Sequence, residues 1–325
     1  HRAVNATDWS RPRVLVAHPK MAPKLVPYLD AEVSVLSAES IAGLPEDMRA
    51  GVDALVGYHF PPGGLARLPN LRWLHLTGTG TEHLLAAGLP PGVLVTNSAR
   101  VPVESVAEYA VSALLMLLKD FPTLSERPQH RPWYASSASM LHGSTVLVVG
   151  AGRIGRAVVR RLAALGARCV AVTRTGAVQV AGADRTVGVT GLAEAAARAD
   201  HIVCCLPDAP GTANLVDKDV LAELSPHAVL VNVGRASTVD DTALYEALRS
   251  RALRSAFLDV HRVEPLPPDD PAWTVPNLVV SPHCAFAFPG EAAAVGQAFL
   301  DNLSDLRAGR LPRDLVTVHH DKEAS

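Results

Sequence analysis

The run Val146-Leu147-Val148-Val149-Gly150-Ala151-Gly152-Arg153-Ile154-Gly155 is an apolar strand followed at once by G-x-G-x-x-G, and residues 156–165 continue as a helix. That context matters more than the glycines alone. In a strand-turn-helix, the first glycine permits the tight turn and the second lets backbone approach a pyrophosphate. The third allows close packing of helix on strand, and the helix N-terminus faces the negative charge. The chain is therefore expected to build a parallel α/β sheet that holds a dinucleotide at Gly150, Gly152 and Gly155.

The same alternation of strand and helix extends to both sides. Short apolar runs at 14–17, 33–36, 54–58, 71–76 and 93–96 are separated by helical or turn-like segments. A helix is expected over 103–119, stopped near Pro122, with a Pro- and Ser-bearing loop over 122–139. A second, denser series follows at 146–149, 169–173, 201–206, 229–233, 256–260 and 278–281, with the continuous apolar character of strands covered on both faces. At 325 residues the chain is too long for one domain of ordinary size. The pattern predicts an α/β fold of two Rossmann-like or flavodoxin-like domains with parallel sheets and an active site in the cleft between them. Residues 1–100 with 285–325 form the expected substrate-binding domain, and 101–284 the dinucleotide-binding one. The last helical stretch, 291–306, is placed back on the first lobe because it needs a surface to pack on.

Composition closes off other function classes. Charged residues are 19 % of the chain, the formal net charge is −2, and no block of Lys or Arg is present, so neither nucleic acid nor an anionic membrane surface is an expected partner. The apolar stretch 106–118 carries Glu108 and Ser112 and falls short of the roughly 20 residues that span a bilayer. Cys169, Cys204, Cys205 and Cys284 lack metal-ligand spacing, so no metal is expected. No basic-then-apolar leader opens the sequence, which points to the cytoplasm. A preference for Arg over Lys, with abundant Ala, Pro and Val, points to a GC-rich bacterial source.

The strand 168–173 should end on an acidic residue that binds the adenosine ribose hydroxyls. Thr173 stands there instead, followed by Arg174 and Thr175. A cation and hydroxyls at that point suit a 2′-phosphate, so NADP(H) is favoured, with NAD(H) left open if Arg174 stacks on the adenine or faces solvent.

The remaining polar signals sit at the ends of later strands, where open parallel sheets bind ligands. Val229-Leu230-Val231-Asn232-Val233-Gly234-Arg235 ends on an arginine, the 257–265 segment carries Glu264, and Val279-Val280-Ser281-Pro282-His283 ends on an imidazole. Three complementary groups at three strand ends form a catalytic set.

With these segments the chain resembles the D-isomer-specific 2-hydroxyacid dehydrogenase family nearly end to end. In that family Val-Asn-x-x-Arg carries the substrate-binding arginine, Leu-Asp-Val-x-x-x-Glu-Pro the catalytic glutamate and Ser/Thr-Pro-His the catalytic histidine, here Arg235, Glu264 and His283. Leu206, Pro207 and Thr212 resemble the loop beside the nicotinamide ribose, and Val239, Asp240, Asp241 and Leu244 the segment after the arginine. Thr77, Gly78, Thr79 and Gly80 resemble the loop that binds the substrate carboxylate. The resemblance adds Arg153, Ile154, Val233, Asp259 and His283 to the cofactor contacts. It also implies a homodimer formed through the segment 103–139.

The implied reaction is hydride transfer between NAD(P)H and a small 2-keto or 2-hydroxy acid such as glyoxylate or hydroxypyruvate. His283 acts as general acid, or as base in reverse, with Glu264 favouring its charged form and fixing its tautomer. Arg235 and the amides at Gly78, Thr79 and Gly80 hold the carboxylate. Tyr58 and His59, at the end of a first-lobe strand, are candidate substrate contacts beside the alternative of loop packing.

Two departures stand out. Ala236 replaces the family's usual Gly, and Cys284-Ala285-Phe286-Ala287-Phe288 replaces a small polar stretch, the two Phe residues reading equally as core or as a pocket wall. The alternatives are oxidation of formate or a phosphorus oxyanion, and a non-enzymatic, nucleotide-sensing corepressor. A phosphoglycerate enzyme of serine biosynthesis is less favoured, since no regulatory domain follows Val318.

Overall fold

The computed structural model describes residues 9–29, 32–125, 138–209 and 211–318. The chain divides into two compact units, His1–Pro102 with Phe288–Ser325, and Val103–Ala287. The first unit begins β1 (Arg13–Ala17), α1 (Ala22–Leu29), β2 (Ser34–Ala38), α2 (Glu46–Ala50), β3 (Ala54–Gly57), β4 (Trp73–Leu76) and β5 (Leu94–Asn97). All neighbouring strands run parallel in the order β2-β1-β3-β4-β5, which is the flavodoxin-like order. Every residue of β3 and β4 is buried, as strands covered on both faces require.

The second unit contains α3 (Val103–Leu118), α4 (Phe121–Ser125), β6 (Thr145–Val149), α5 (Arg153–Ala164), β7 (Arg168–Thr173), β8 (Arg185–Gly188), α6 (Leu192–Ala196) and β9 (His201–Cys204). It continues with α7 (Lys218–Glu223), β10 (Val229–Asn232), α8 (Asp241–Arg249), β11 (Ser255–Leu258) and β12 (Leu278–Val280). Its seven parallel strands follow the order β12-β11-β10-β9-β6-β7-β8. The chain works outward from β6 in one direction and then, from β9, in the other, so the Rossmann switch point lies beside the glycine turn.

Two local expectations need correction. β8 was not foreseen, because Arg185-Thr186-Val187-Gly188 carries one strong apolar residue; as an edge strand it buries only Val187 and pairs on one side with β7. The expected helix does stop short of Pro122, at Leu118, but the loop expected to begin at Pro122 opens instead within α4, since proline is tolerated in a first turn where its N–H has no helical partner. The rest of the expected loop falls largely on 126–137, outside the described residues.

The final helix, α9 (Glu291–Arg307), belongs to the first unit. Val295, Phe299, Leu303 and Leu306 recur at helical spacing and are buried with Val14, Val16, Leu25 and Trp73. Phe299 stacks on Trp73 at 4.4 Å between ring centroids. Gly296 lets α1 come close, since a Cβ there would stand 3.0 Å from the Cβ of Tyr28.

Trp73 and His75 point to the same face of β4. Trp73 Nε1–H donates to Thr96 Oγ1 at 2.9 Å, so the Thr96 hydroxyl donates onward to His75 Nδ1 at 2.7 Å. His75 Nε2–H then donates to Ser98 Oγ at 3.1 Å, and that hydroxyl donates to the Leu76 carbonyl at 3.0 Å. This chain suits a neutral imidazole. Burial is the main reason that the His75 pKa drops to about 3, and burial likewise lowers His201 to about 4.

Both folded values lie below the usual 6.5. Between them and 6.5 the unfolded chain therefore holds protons that the native chain does not, and stability falls as pH drops through that window. Denaturant unfolding should show stability level above pH 6.5 and declining below it, by up to about 1.4 kcal/mol per pH unit for each proton. His75→Gln should cost stability at pH 7.5 and flatten the decline; an unchanged slope would contradict the assignment.

Candidate active site

The turn after β6 gives each glycine a separate physical reason. Gly150 has φ +96, a conformation open to glycine at little cost. A Cβ on Gly155 would lie 1.8 Å from the Gly150 carbonyl oxygen, so α5 can sit this close only with glycine there. Gly152, the N-cap of α5, has nothing within 4 Å of where its Cβ would stand, leaving its backbone open to a ligand. That open cradle at a helix N-terminus fits a pyrophosphate.

A cavity of about 410 Å³ opens beside this turn, lined by Gly150, Ala151, Gly152, Arg156, Thr173, Arg174, Thr175, Val178, Cys205, Leu206 and Pro207. No lining residue is acidic, and two are arginines. Thr173 Oγ1 accepts from Gly176 N–H at 2.9 Å and Thr175 Oγ1 from Ala177 N–H at 3.3 Å, which shapes the turn that carries exposed Arg174. Arg153, Ile154, Thr212, Val233, Asp259 and His283 do not line this cavity. Ile154 and Val233 pack into the core around α3, and the Thr212 hydroxyl donates to the carbonyls of Pro207 and Ala209.

Arg235 follows β10 on a turn clamped by Asn232. The Asn232 amide donates to the Arg235 carbonyl at 3.0 Å, and its oxygen accepts from Gly234 N–H at 3.0 Å. Gly234 is required because a Cβ would meet the Leu206 backbone at 2.5 Å, so the arginine turn presses directly on the loop after β9. Ala236 is buried and is not among the positive-φ residues, so its methyl group carries no backbone strain. Asp240 caps α8 by accepting from Ala243 N–H at 3.1 Å.

Beyond β11, the carboxylate of Asp259 is 1 % exposed and gathers the segment after β12. Oδ1 accepts from Ser281 Oγ at 2.6 Å and Cys284 N–H at 3.0 Å, and Oδ2 accepts from Ala285 N–H at 3.0 Å. Held between these bonds, His283 adopts φ +48, an uncommon conformation for a residue with a side chain. Its Nδ1 meets Glu264 Oε2 at 2.7 Å, while Glu264 Oε1 accepts from His261 N–H at 2.9 Å.

Burial would raise the Glu264 carboxyl, but its bonds to His283 and the His261 amide, with the nearby imidazoles, outweigh this and hold it below its usual value. Glu264 is thus ionised at neutral pH and only accepts. The shared proton must therefore sit on His283 Nδ1, which leaves Nε2 outside this pair. Phe286 is 41 % exposed and meets the His283 ring edge-on at 6.0 Å between centroids, so it is no core residue.

In the first unit, the 78–80 loop after β4 is built around Tyr58. A Cβ on Gly78 would lie 2.6 Å from the Tyr58 ring, and Gly80 N–H donates to the Tyr58 hydroxyl at 3.2 Å. The Asn97 amide ties the Thr79 carbonyl at 2.8 Å.

Residues 111–285 match the family model described as D-isomer specific 2-hydroxyacid dehydrogenase, NAD binding domain. The chain belongs to this family. A D-3-phosphoglycerate dehydrogenase of Mycobacterium tuberculosis is 33 % identical over 328 residues, covering 95 % of this chain and 59 % of that protein. The chain thus spans about three-fifths of that relative's length. An NADPH-dependent glyoxylate/hydroxypyruvate reductase from Sinorhizobium meliloti, solved with citrate, aligns with TM-score 0.80 and 31 % identity over 94 % of this chain and 98 % of that one. A D-isomer specific 2-hydroxyacid dehydrogenase from Xanthobacter autotrophicus, solved with NADPH and MES, gives TM-score 0.83 and 27 % identity at the same coverage.

Within this dehydrogenase fold two arginines escaped the sequence reading. Arg156 lines the cavity, with Nε donating to the Ala151 carbonyl at 3.0 Å; its exposed position in the first turn of α5 carried no motif signal. Arg262 braces the segment that carries Glu264, donating to Asp241 Oδ2 at 2.7 Å, Asn214 Oδ1 at 3.0 Å and the Val239 carbonyl at 2.9 Å. Its partners lie 21 to 48 residues away in sequence, beyond what local spacing discloses.

The two later glycines of the turn should fail differently. Gly152→Ala should melt like the parent protein and bind dinucleotide about tenfold or more weakly, because the methyl occupies ligand space. Gly155→Ala should lower the melting temperature by several degrees, because β6 and α5 must separate. Calorimetric melts with fluorescence titration of the nucleotide check both, and equal behaviour of the two variants would contradict the account.

Proposed function

We propose that the chain reduces a small 2-keto acid, with a nicotinamide dinucleotide as hydride source, and that His283, Glu264 and Arg235 carry the chemistry. The observation behind this is the 2.7 Å pair of His283 Nδ1 and Glu264 Oε2 on neighbouring strand ends of a sheet whose switch point holds an open glycine turn. When bound, the nicotinamide supplies or accepts the hydride. The residues do the rest. His283 Nε2 gives a proton to the forming alkoxide, and Glu264 stabilises the protonated ring while fixing its orientation. Arg235 clamps the carboxylate and polarises the carbonyl.

NADP(H) is the cofactor in this reading. Arg156 and Arg174, with the Thr173 and Thr175 hydroxyls, offer cationic and polar contacts to a 2′-phosphate, and no carboxylate lines the cavity to repel it. The Sinorhizobium and Xanthobacter proteins, named as NADPH-dependent and solved with NADPH respectively, lend support. All four cysteines are free thiols, in keeping with a reducing cytoplasm. We also read the chain as a homodimer formed through α3 and the segment after it.

Purified protein should oxidise NADPH faster than NADH when offered glyoxylate or hydroxypyruvate, and Arg174→Ala should narrow that preference. His283→Ala should lose about 10²- to 10⁴-fold in kcat while retaining cofactor binding. Unchanged turnover in the His283 variant would overturn the assignment.

A further inference from the structure

The strand ladder of the second unit ends just short of the Glu264–His283 pair. β11 and β12 pair from Ala256 with Leu278 to Leu258 with Val280, and the Ser281 N–H adds a last rung by donating to the Leu258 carbonyl at 2.9 Å. Glu264 and His283 both lie past that rung. Side chains and turns must therefore set the 2.7 Å between His283 Nδ1 and Glu264 Oε2.

One residue bonds toward both partners. The His261 N–H donates to Glu264 Oε1 at 2.9 Å, the carboxylate oxygen that does not meet His283. The half-buried His261 ring reaches the other way, its Nε2 standing 2.8 Å from the Ser281 carbonyl oxygen. A carbonyl only accepts, so Nε2 carries the hydrogen and donates it. The same oxygen accepts the His283 N–H at 3.0 Å, which closes a three-residue turn over Pro282. His261 thus grips the turn from which the catalytic imidazole projects. The Ser281 hydroxyl is engaged as well, donating to Asp259 Oδ1 at 2.6 Å. With its N–H, hydroxyl and carbonyl all bonded, Ser281 is a fixed anchor, and the His261 ring supplies the bond to its carbonyl that comes from the Glu264 side.

We propose that His261 is a positioning residue for the proton transfer: its main-chain N–H orients the Glu264 carboxylate, and its ring N–H holds the 281–283 turn so that His283 Nδ1 meets that carboxylate. This rests on the reductase reading above, and His261 acts through these two groups rather than by touching substrate. A hydrocarbon ring at 261 keeps the amide bond to Glu264 but leaves the Ser281 carbonyl with one donor, so the turn relaxes and the imidazole swings off line. A misplacement of about 1 Å in such a pair can cost up to about 10²-fold in rate. A glutamine amide reaches about as far as the imidazole Nε2 and donates the same bond. Phenylalanine and glutamine at this position therefore separate the ring's bond from its bulk.

The test compares His261→Phe and His261→Gln with the parent protein in two measurements at one pH. The first is reduction of glyoxylate or hydroxypyruvate by NADPH. The second is nuclear magnetic resonance of protein isotope-labelled at the histidine ring nitrogens, which reads the His283 Nδ1–H directly. In the parent that proton, assigned by its absence in His283→Ala, should appear at low field and exchange slowly because Glu264 accepts it. In His261→Phe, kcat should fall about tenfold while KM and NADPH affinity stay within about twofold, and the Nδ1–H signal should be lost to exchange. His261→Gln should bring kcat back to within about threefold of the parent and keep the signal. If the Phe variant fails to fold, His261→Leu carries the same comparison. Full turnover with an unchanged signal in His261→Phe, or a Gln variant no better than the Phe variant, would overturn the positioning role and leave the reductase standing. Loss and rescue of the His283 signal in a protein that turns over no acid would support the positioning role and remove the reductase reading.

Discussion

The buried carboxylate of Asp259 is the interaction on which the catalytic edge depends. A charge so deeply buried is tolerable only when its oxygens are matched by donors, and here a hydroxyl and two backbone amides from the 281–285 segment supply them. Those bonds tie the end of β11 to the segment after β12. They leave His283 in the left-handed region and facing Glu264, which leaves the same strand end as Asp259. Arg262 closes the other side by fixing the intervening segment to Asp241 and Asn214. Acid, imidazole and their spacing therefore follow from one buried anion and one exposed cation.

The two sheets share a logic. Each is parallel, each reverses strand order once, and each gathers its unusual side chains at the carboxyl edge near that reversal. In the second unit the edge carries the glycine turn, the two arginines of the cavity beside it, Arg235 and the Glu264–His283 pair. In the first it carries the glycine loop shaped by Tyr58. The glycines mark close approaches: Gly155 to the Gly150 carbonyl, Gly234 to the Leu206 backbone and Gly78 to the Tyr58 ring.

Much of this was legible in the amino-acid sequence where a signal is local. Strands buried on both faces announce themselves by continuous apolar runs, and G-x-G-x-x-G after such a run has few other meanings. Long-range signals were not legible. β8 is an edge strand with little apolar content, Arg156 and Arg262 find partners set by tertiary folding, and Asp259 reads as one acid in a motif until its three donors are seen. Phe286 read equally as core or as wall, and only its exposure beside the His283 ring decides against the core.

The central claim is that the Asp259 carboxylate, by holding the 281–285 segment, presents His283 as the proton donor. Single-turnover reduction of a 2-keto acid by NADPH, measured for the parent protein and Asp259→Asn, addresses it most directly. The substituted amide keeps the shape but offers one acceptor oxygen where three donors converge. The account predicts a melting temperature lower by several degrees, because the new amide sets an N–H against buried donors, and a hydride-transfer rate lower by about 10²-fold or more, near the cost of losing a general acid. A rate within threefold of the parent's, with the fold intact, would contradict it.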